Sequence, residues 1–120
     1  MEYTTYQDLL EYAGTKCDSF SLVWRSEFEF EKSAIKITEA LKSYLISEVS
    51  TNKWPGTELM SGKALLRTYA LNNKTLPLLK EVSEVYEWVA PKYPEDLAFY
   101  SKGKVVFSSV AHEGMAWFET

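Results

Sequence analysis

The run Phe20-Ser21-Leu22-Val23-Trp24-Arg25-Ser26-Glu27-Phe28-Glu29-Phe30 decides how the rest of the chain is read. Phe20, Leu22, Trp24, Phe28 and Phe30 share one parity, broken only by Ser26. Ser21, Arg25, Glu27 and Glu29 share the other, together with Val23. Side chains alternate across a β-strand, so this spacing predicts a strand with one buried face and one wetter face.

On the N-terminal side the period changes. Thr4 or Thr5, followed by Gln7 or Asp8 three residues on, has the spacing of a capping box. Tyr6, Leu9, Leu10 and Ala13 then recur at helical spacing, and Gly14 is a natural stop, giving a helix over residues 5–13. On the C-terminal side Ile37, Ala40, Leu41, Tyr44 and Leu45 predict a second helix over 31–44. Residues 45–51 read as a strand that stops at Asn52-Lys53-Trp54-Pro55-Gly56, a strong turn signal. Residues 52–62 read as an ordered loop and 63–71 as another strand.

A third helix is expected after Asn72, Asn73 or Thr75. Pro77 is tolerated in its first turn, and Leu78, Leu79, Val82, Val85, Tyr86 and Val89 form its apolar stripe. Pro91 and Pro94 end it. Residues 97–100 and 104–110 flank Ser101-Lys102-Gly103 as a hairpin, and Met115, Ala116, Trp117 and Phe118 offer a final strand. The order α-β-α-β-β-α-β-β(-β) predicts a single α+β domain over residues 1–120. Its sheet is mostly antiparallel, with about five strands and three helices on one face.

Composition narrows the function classes. The chain has 120 residues, 46% of them hydrophobic and 15% aromatic, which is enough apolar surface for a core without disulfides. Net charge is -4, and Lys and Arg are scattered rather than clustered, so no nucleic acid partner is expected. Cys17 is the one cysteine and excludes an intramolecular disulfide. With residues 1–5 unlike a signal peptide and no apolar run of membrane-spanning length, the expected location is cytoplasmic, away from the membrane. There is no P-loop, no G-x-G-x-x-G and no G-x-S-x-G elbow, and a single His with a single Cys cannot build a typical structural zinc site. Neither cofactor nor metal is expected.

Four groups carry polar chemistry. His112 in Ala111-His112-Glu113-Gly114 is the lone histidine and has the residue type of a general acid or base. The commoner case is a strand-end His bonded to nearby backbone, and Glu113 would point to the opposite face of a continuing strand. Arg25 and Glu27 share a strand face, and with Arg67 they form a cluster of the kind that clamps a carboxylate or phosphate. A half-exposed ion pair is the plainer alternative. Trp54 at a turn either folds back on the core or serves as a binding anchor. Tyr93-Pro94-Glu95-Asp96 places two carboxylates in succession, a pattern met in acid–base sites and more commonly in solvated turns.

The segments Phe20-Ser21-Leu22-Val23-Trp24-Arg25, Trp54-Pro55-Gly56-Thr57, Pro94-Glu95-Asp96-Leu97-Ala98-Phe99-Tyr100 and Ala111-His112-Glu113 together resemble a family of small bacterial cytoplasmic proteins of unassigned function, some loosely labelled as sporulation-related. The resemblance spans most of the chain. It implies that the four segments lie close together, with Arg25, Trp54, Glu95, Asp96 and His112 lining one site.

Size, acidity and abundant aromatics, with no catalytic signature, favour a non-enzymatic protein-interaction module. Immunity proteins and phage-encoded inhibitors are examples of that class. Trp54 and Tyr93 are the expected anchors and Glu95 and Asp96 the steering charges. The alternative is a small enzyme or small-molecule binder whose polar site joins Arg25, Glu27, His112 and Glu113 with Glu95 and Asp96. A homodimer through a sheet edge or the 115–118 tail is a third reading.

Overall fold

A computed structural model describes residues 5–119. Helix α1 (Tyr6–Lys16) starts at Thr5, whose side-chain oxygen accepts the Asp8 amide at 3.1 Å. Thr4, the alternative cap, lies outside the described residues. Strand β1 (Ser19–Trp24) follows, then helix α2 (Lys32–Leu41) and strand β2 (Leu45–Thr51). A small hairpin of β3 (Lys53–Trp54) and β4 (Thr57–Glu58) turns at Pro55-Gly56, with Gly56 at φ 87°. That is the left-handed geometry a Pro-Gly turn supplies without strain. Strand β5 (Ala64–Ala70) leads into two 3-10 segments, Leu76–Glu81 and Val85–Glu87. Strands β6 (Glu95–Ser101) and β7 (Lys104–Val110) form a tight hairpin, and a 3-10 turn (Ala111–Glu113) delivers the last strand, β8 (Met115–Phe118).

The main sheet has six strands in the order β2-β5-β1-β6-β7-β8, and every pairing is antiparallel. The fold is α+β. One sheet face carries Phe20, Leu22, Tyr69, Leu97, Phe99 and Phe107. It packs against Leu9 and Leu10 of α1, Ile37 and Leu41 of α2, Leu79 and Val85 of the 3-10 segments and Val82 between them. The other face holds Val23 and Ala64, with Leu66 beside them, and is covered by Trp54 and Leu59 of the small hairpin. A Cβ on Gly56 would come within 2.8 Å of the Trp117 ring, so the hairpin tip rests directly on β8. No helix among the described residues is long and apolar enough to cross a membrane.

The structure departs from the sequence reading at several points. The strand beginning at Phe20 stops at Trp24, because its neighbours run out: Val23 pairs with Glu95, the first residue of β6, and Trp24 with Leu65 near the start of β5. Residues 25–28 turn instead, with the Phe28 amide bonded to the Arg25 carbonyl at 3.2 Å. Gly14 does not end α1. It sits inside the helix, where a Cβ would lie 3.0 Å from a Leu76 methyl, so its lack of a side chain serves close packing. The third helical segment is two short 3-10 turns rather than one α-helix, split by extended backbone at Val82 and Glu84, and Leu79, Val82, Val85 and Trp88 of this stretch are buried. The loop 52–62 contains the β3–β4 hairpin.

Candidate functional site

Glu95 opens β6 beside the end of β1, and the ladder between these strands shifts register between Ser21 and Val23. Asp96 follows at φ 59°, in the left-handed region. In a regular strand adjacent side chains diverge. Here the register shift and the left-handed residue let both carboxylates join one cluster with His112. One ligand atom from each of the three lies within 4.8 Å of the other two.

Asp96 is the structural centre of this group. Its Oδ2 accepts the Trp54 indole N–H at 3.0 Å, and its Oδ1 accepts the Ala111 amide at 3.0 Å. The first bond ties the small hairpin to the sheet. The second fixes the 3-10 turn that presents His112 on the surface. Glu95 is less well served. Its Oε1 accepts the Ala90 amide at 3.4 Å, and its Oε2 is buried with no hydrogen bond. Arg25 stands 3.7 Å from that oxygen, too far for a good hydrogen bond, and pairs instead with Glu27 at 2.7 Å.

Both carboxylates are 2% exposed. Burial raises the Glu95 pKa, and the Asp96 charge raises it further, against opposing effects of the Ala90 amide, Arg25 and His112. Burial raises that of Asp96 too, offset in part by its bonds from Trp54 and Ala111 and by the nearby His112 and Arg25. Between the ordinary carboxylate pKa and these raised values the folded chain binds more protons than the unfolded chain. The carboxylate contribution is therefore at its best below that window and is lost as pH rises through it. Glu95→Gln removes part of this loss. Urea unfolding from pH 4 to 8 should show the Gln variant gaining on the native chain as pH rises. A difference that stays constant with pH would contradict the assignment.

The side chains selected from sequence fall into distinct settings. Arg25, Trp54, Glu95, Asp96 and His112 are connected through the contacts above. Glu27 joins them only through Arg25, from an exposed position, and Glu113 is exposed on the His112 turn. Arg67 is outside the carboxylate cluster: it bonds Glu48 of β2 at 2.8 Å and stacks on Trp24 with its guanidinium carbon 4.6 Å from the ring centre, and it shares only an open groove with Arg25. Arg25 and Glu27 lie in the turn after β1, not on a strand face. Trp54, at 4% exposure, and Tyr93, at 6%, are core residues, and Tyr93 packs edge-on against Trp88. Glu95 and Asp96 are not a solvated turn. None of these four presents an open surface to a partner, because the hairpin and the 3-10 segments fold over them.

A second region went unread in the sequence. Strand β2 lies at the sheet edge, and all its residues except Thr51 are exposed. Ile46 is 61% exposed, Val49 50% and Ile35 of α2 57%. An open groove of about 360 Å³ lies alongside, lined by Trp24, Arg25, Phe28, Phe30, Leu65 and Arg67. A second, of about 180 Å³, continues past Ala34, Ile35 and Thr38 of α2. The available signal was Ile46 and Val49, which fall on opposite parities of one short strand. No family model, curated protein or solved structure matches the chain.

Proposed function

We propose that the protein is a non-enzymatic interaction module that binds and neutralises or regulates a partner protein, and that it does so by strand addition along β2. The observation that carries this reading is one of the two sheet edges: β2 exposes six of its seven residues, whereas the other edge strand, β8, is mostly half-buried. Among the described residues β2 pairs only with β5, leaving its other side without a ladder. Natural sheets usually shield such edges with Lys, Pro or a bulge. Here the irregularity is confined to the start, between Leu45 and Ser47, and the register from Ser47 to Thr51 is regular. The only charge on the strand, Glu48, is neutralised by Arg67.

An extended partner segment would find backbone hydrogen bonds along Ser47–Thr51 and side-chain contacts on Ile46 and Val49. The pocket between α2 and the edge, lined by Thr38, Lys42, Leu45 and Glu48, would take side chains from one face of the incoming strand. The net charge of -4 suits a basic partner.

Ile46→Lys combined with Val49→Lys tests the reading. Both positions are exposed, so stability should change by no more than about 0.5 kcal/mol per site. The tagged native chain should retain one stoichiometric partner from lysate, and the double variant should lose it while His112→Ala keeps it. Retention by the double variant would refute binding through β2, and the absence of any partner would refute the interaction reading itself.

A further inference from the structure

We propose that Glu95, Asp96 and His112 form a binding site for one divalent transition-metal ion of the Zn²⁺ or Mn²⁺ class. The site is separate from the β2 edge, since β5 and β1 lie between β2 and β6. The donor set is one imidazole nitrogen with two carboxylates. The imidazole nitrogen suits Zn²⁺ better than Mg²⁺ or Ca²⁺, which favour oxygen alone, and the two carboxylates also admit the harder Mn²⁺.

Proximity of acids is not the argument by itself. Glu95 Oε2 is a buried carboxylate oxygen with no hydrogen bond, although the residue is only 2% exposed. Buried polar atoms are nearly always paired, so an orphan oxygen on a carboxylate that also comes within 4.8 Å of Asp96 and His112 ligand atoms marks a place for a ligand. The neighbouring cation does not fill that place. Arg25 stays 3.7 Å away, its own Nε is also unpaired, and its shorter contact is with Glu27. A metal ion would displace a loose contact and leave Arg25 with a partner.

The surroundings have the form of a supporting shell. Trp54 holds one Asp96 oxygen and the Ala111 amide the other, and each oxygen keeps a second lone pair for an ion. Ligand atoms around such an ion stand closer together than the present limit of 4.8 Å. His112, exposed on its short turn, is the member free to close that distance. Three protein ligands leave at least one coordination position for water or a small anion.

The test uses the full chain, stripped with chelator and titrated with Zn²⁺, Mn²⁺ and Mg²⁺ by calorimetry, with thermal unfolding in parallel. One Zn²⁺ or Mn²⁺ ion per chain should bind and raise Tm, with Mg²⁺ far weaker. His112→Ala and Glu95→Gln should each weaken binding by about tenfold or more. Arg25→Met should tighten it, because it removes the competing guanidinium. No binding at millimolar metal overturns the proposal, as does binding that His112→Ala leaves unchanged. His112 is exposed, so its variant keeps the test decisive even where Glu95→Gln perturbs folding.

Discussion

Trp54→Ala should destabilise the fold by about 3–5 kcal/mol, the range for removing a large buried aromatic side chain. The residue is 4% exposed and packs with Val23 and Ala64, with Leu59 and Leu66 around them. Its loss would take away the main apolar contact between the small hairpin and the second face of the sheet. It would also remove the indole donor from Asp96 Oδ2, leaving a buried carboxylate with one good hydrogen bond fewer. Trp54→Phe separates the two effects. It keeps most of the packing and loses the donor, so its cost should be about 1–3 kcal/mol. Urea denaturation of both variants provides the check. A surface Trp would tolerate Ala within about 0.5 kcal/mol, and that result would place Trp54 outside the core.

Trp88→Ala should cost a similar amount, about 3–5 kcal/mol, on the opposite side of the sheet. Trp88 is fully buried, and its indole donates to the Tyr6 hydroxyl at 3.0 Å. That hydroxyl donates in turn to the Leu79 carbonyl at 2.7 Å. The relay joins the first residue of α1, the first 3-10 segment and the approach to β6. Tyr6→Phe should therefore cost about 1–3 kcal/mol although it deletes one atom, because a buried donor and a buried acceptor both lose a partner. Thermal and urea unfolding would measure both. A Tyr6→Phe variant as stable as the native chain would show that neither group depends on the relay.

Local pattern revealed much of this fold. Alternation at 20–24 located the central strand, and Ile37 and Leu41 gave the buried stripe of α2. Ser101-Lys102-Gly103 marked the β6–β7 hairpin, where Lys102 and Gly103 both have positive φ. What local pattern missed depends on partners distant in sequence. Phe28 and Phe30 keep the parity of a strand, yet no neighbouring strand reaches them. Gly14 resembles a helix stop until Leu76 is placed against it. The third segment carried an α-helical stripe in its sequence, but extended backbone at Val82 and Glu84 splits it into two short 3-10 turns.

The candidate site was legible as a set of segments and not as surfaces. Pro94-Glu95-Asp96 has the composition of a wet turn, and only the cover of Trp54, Ala90 and Ala111 makes it a buried pair. Trp54 could be read either inward or outward, and tertiary packing chose inward. The β2 edge was invisible for the converse reason: an exposed Ile looks like a core Ile until strand order is known.

The central position of β1 also governs the order in which the chain can become a protein. Phe20 is matched to Tyr69 on one side and Phe99 on the other, partners about 50 and 80 residues away, and closing such large loops slows the search for native contacts. During synthesis, the middle strand emerges early and waits for both its neighbours. Its second ladder cannot be complete until Tyr100 has left the ribosome, so until then the apolar face of β1 is a surface that nascent-chain binding factors can hold.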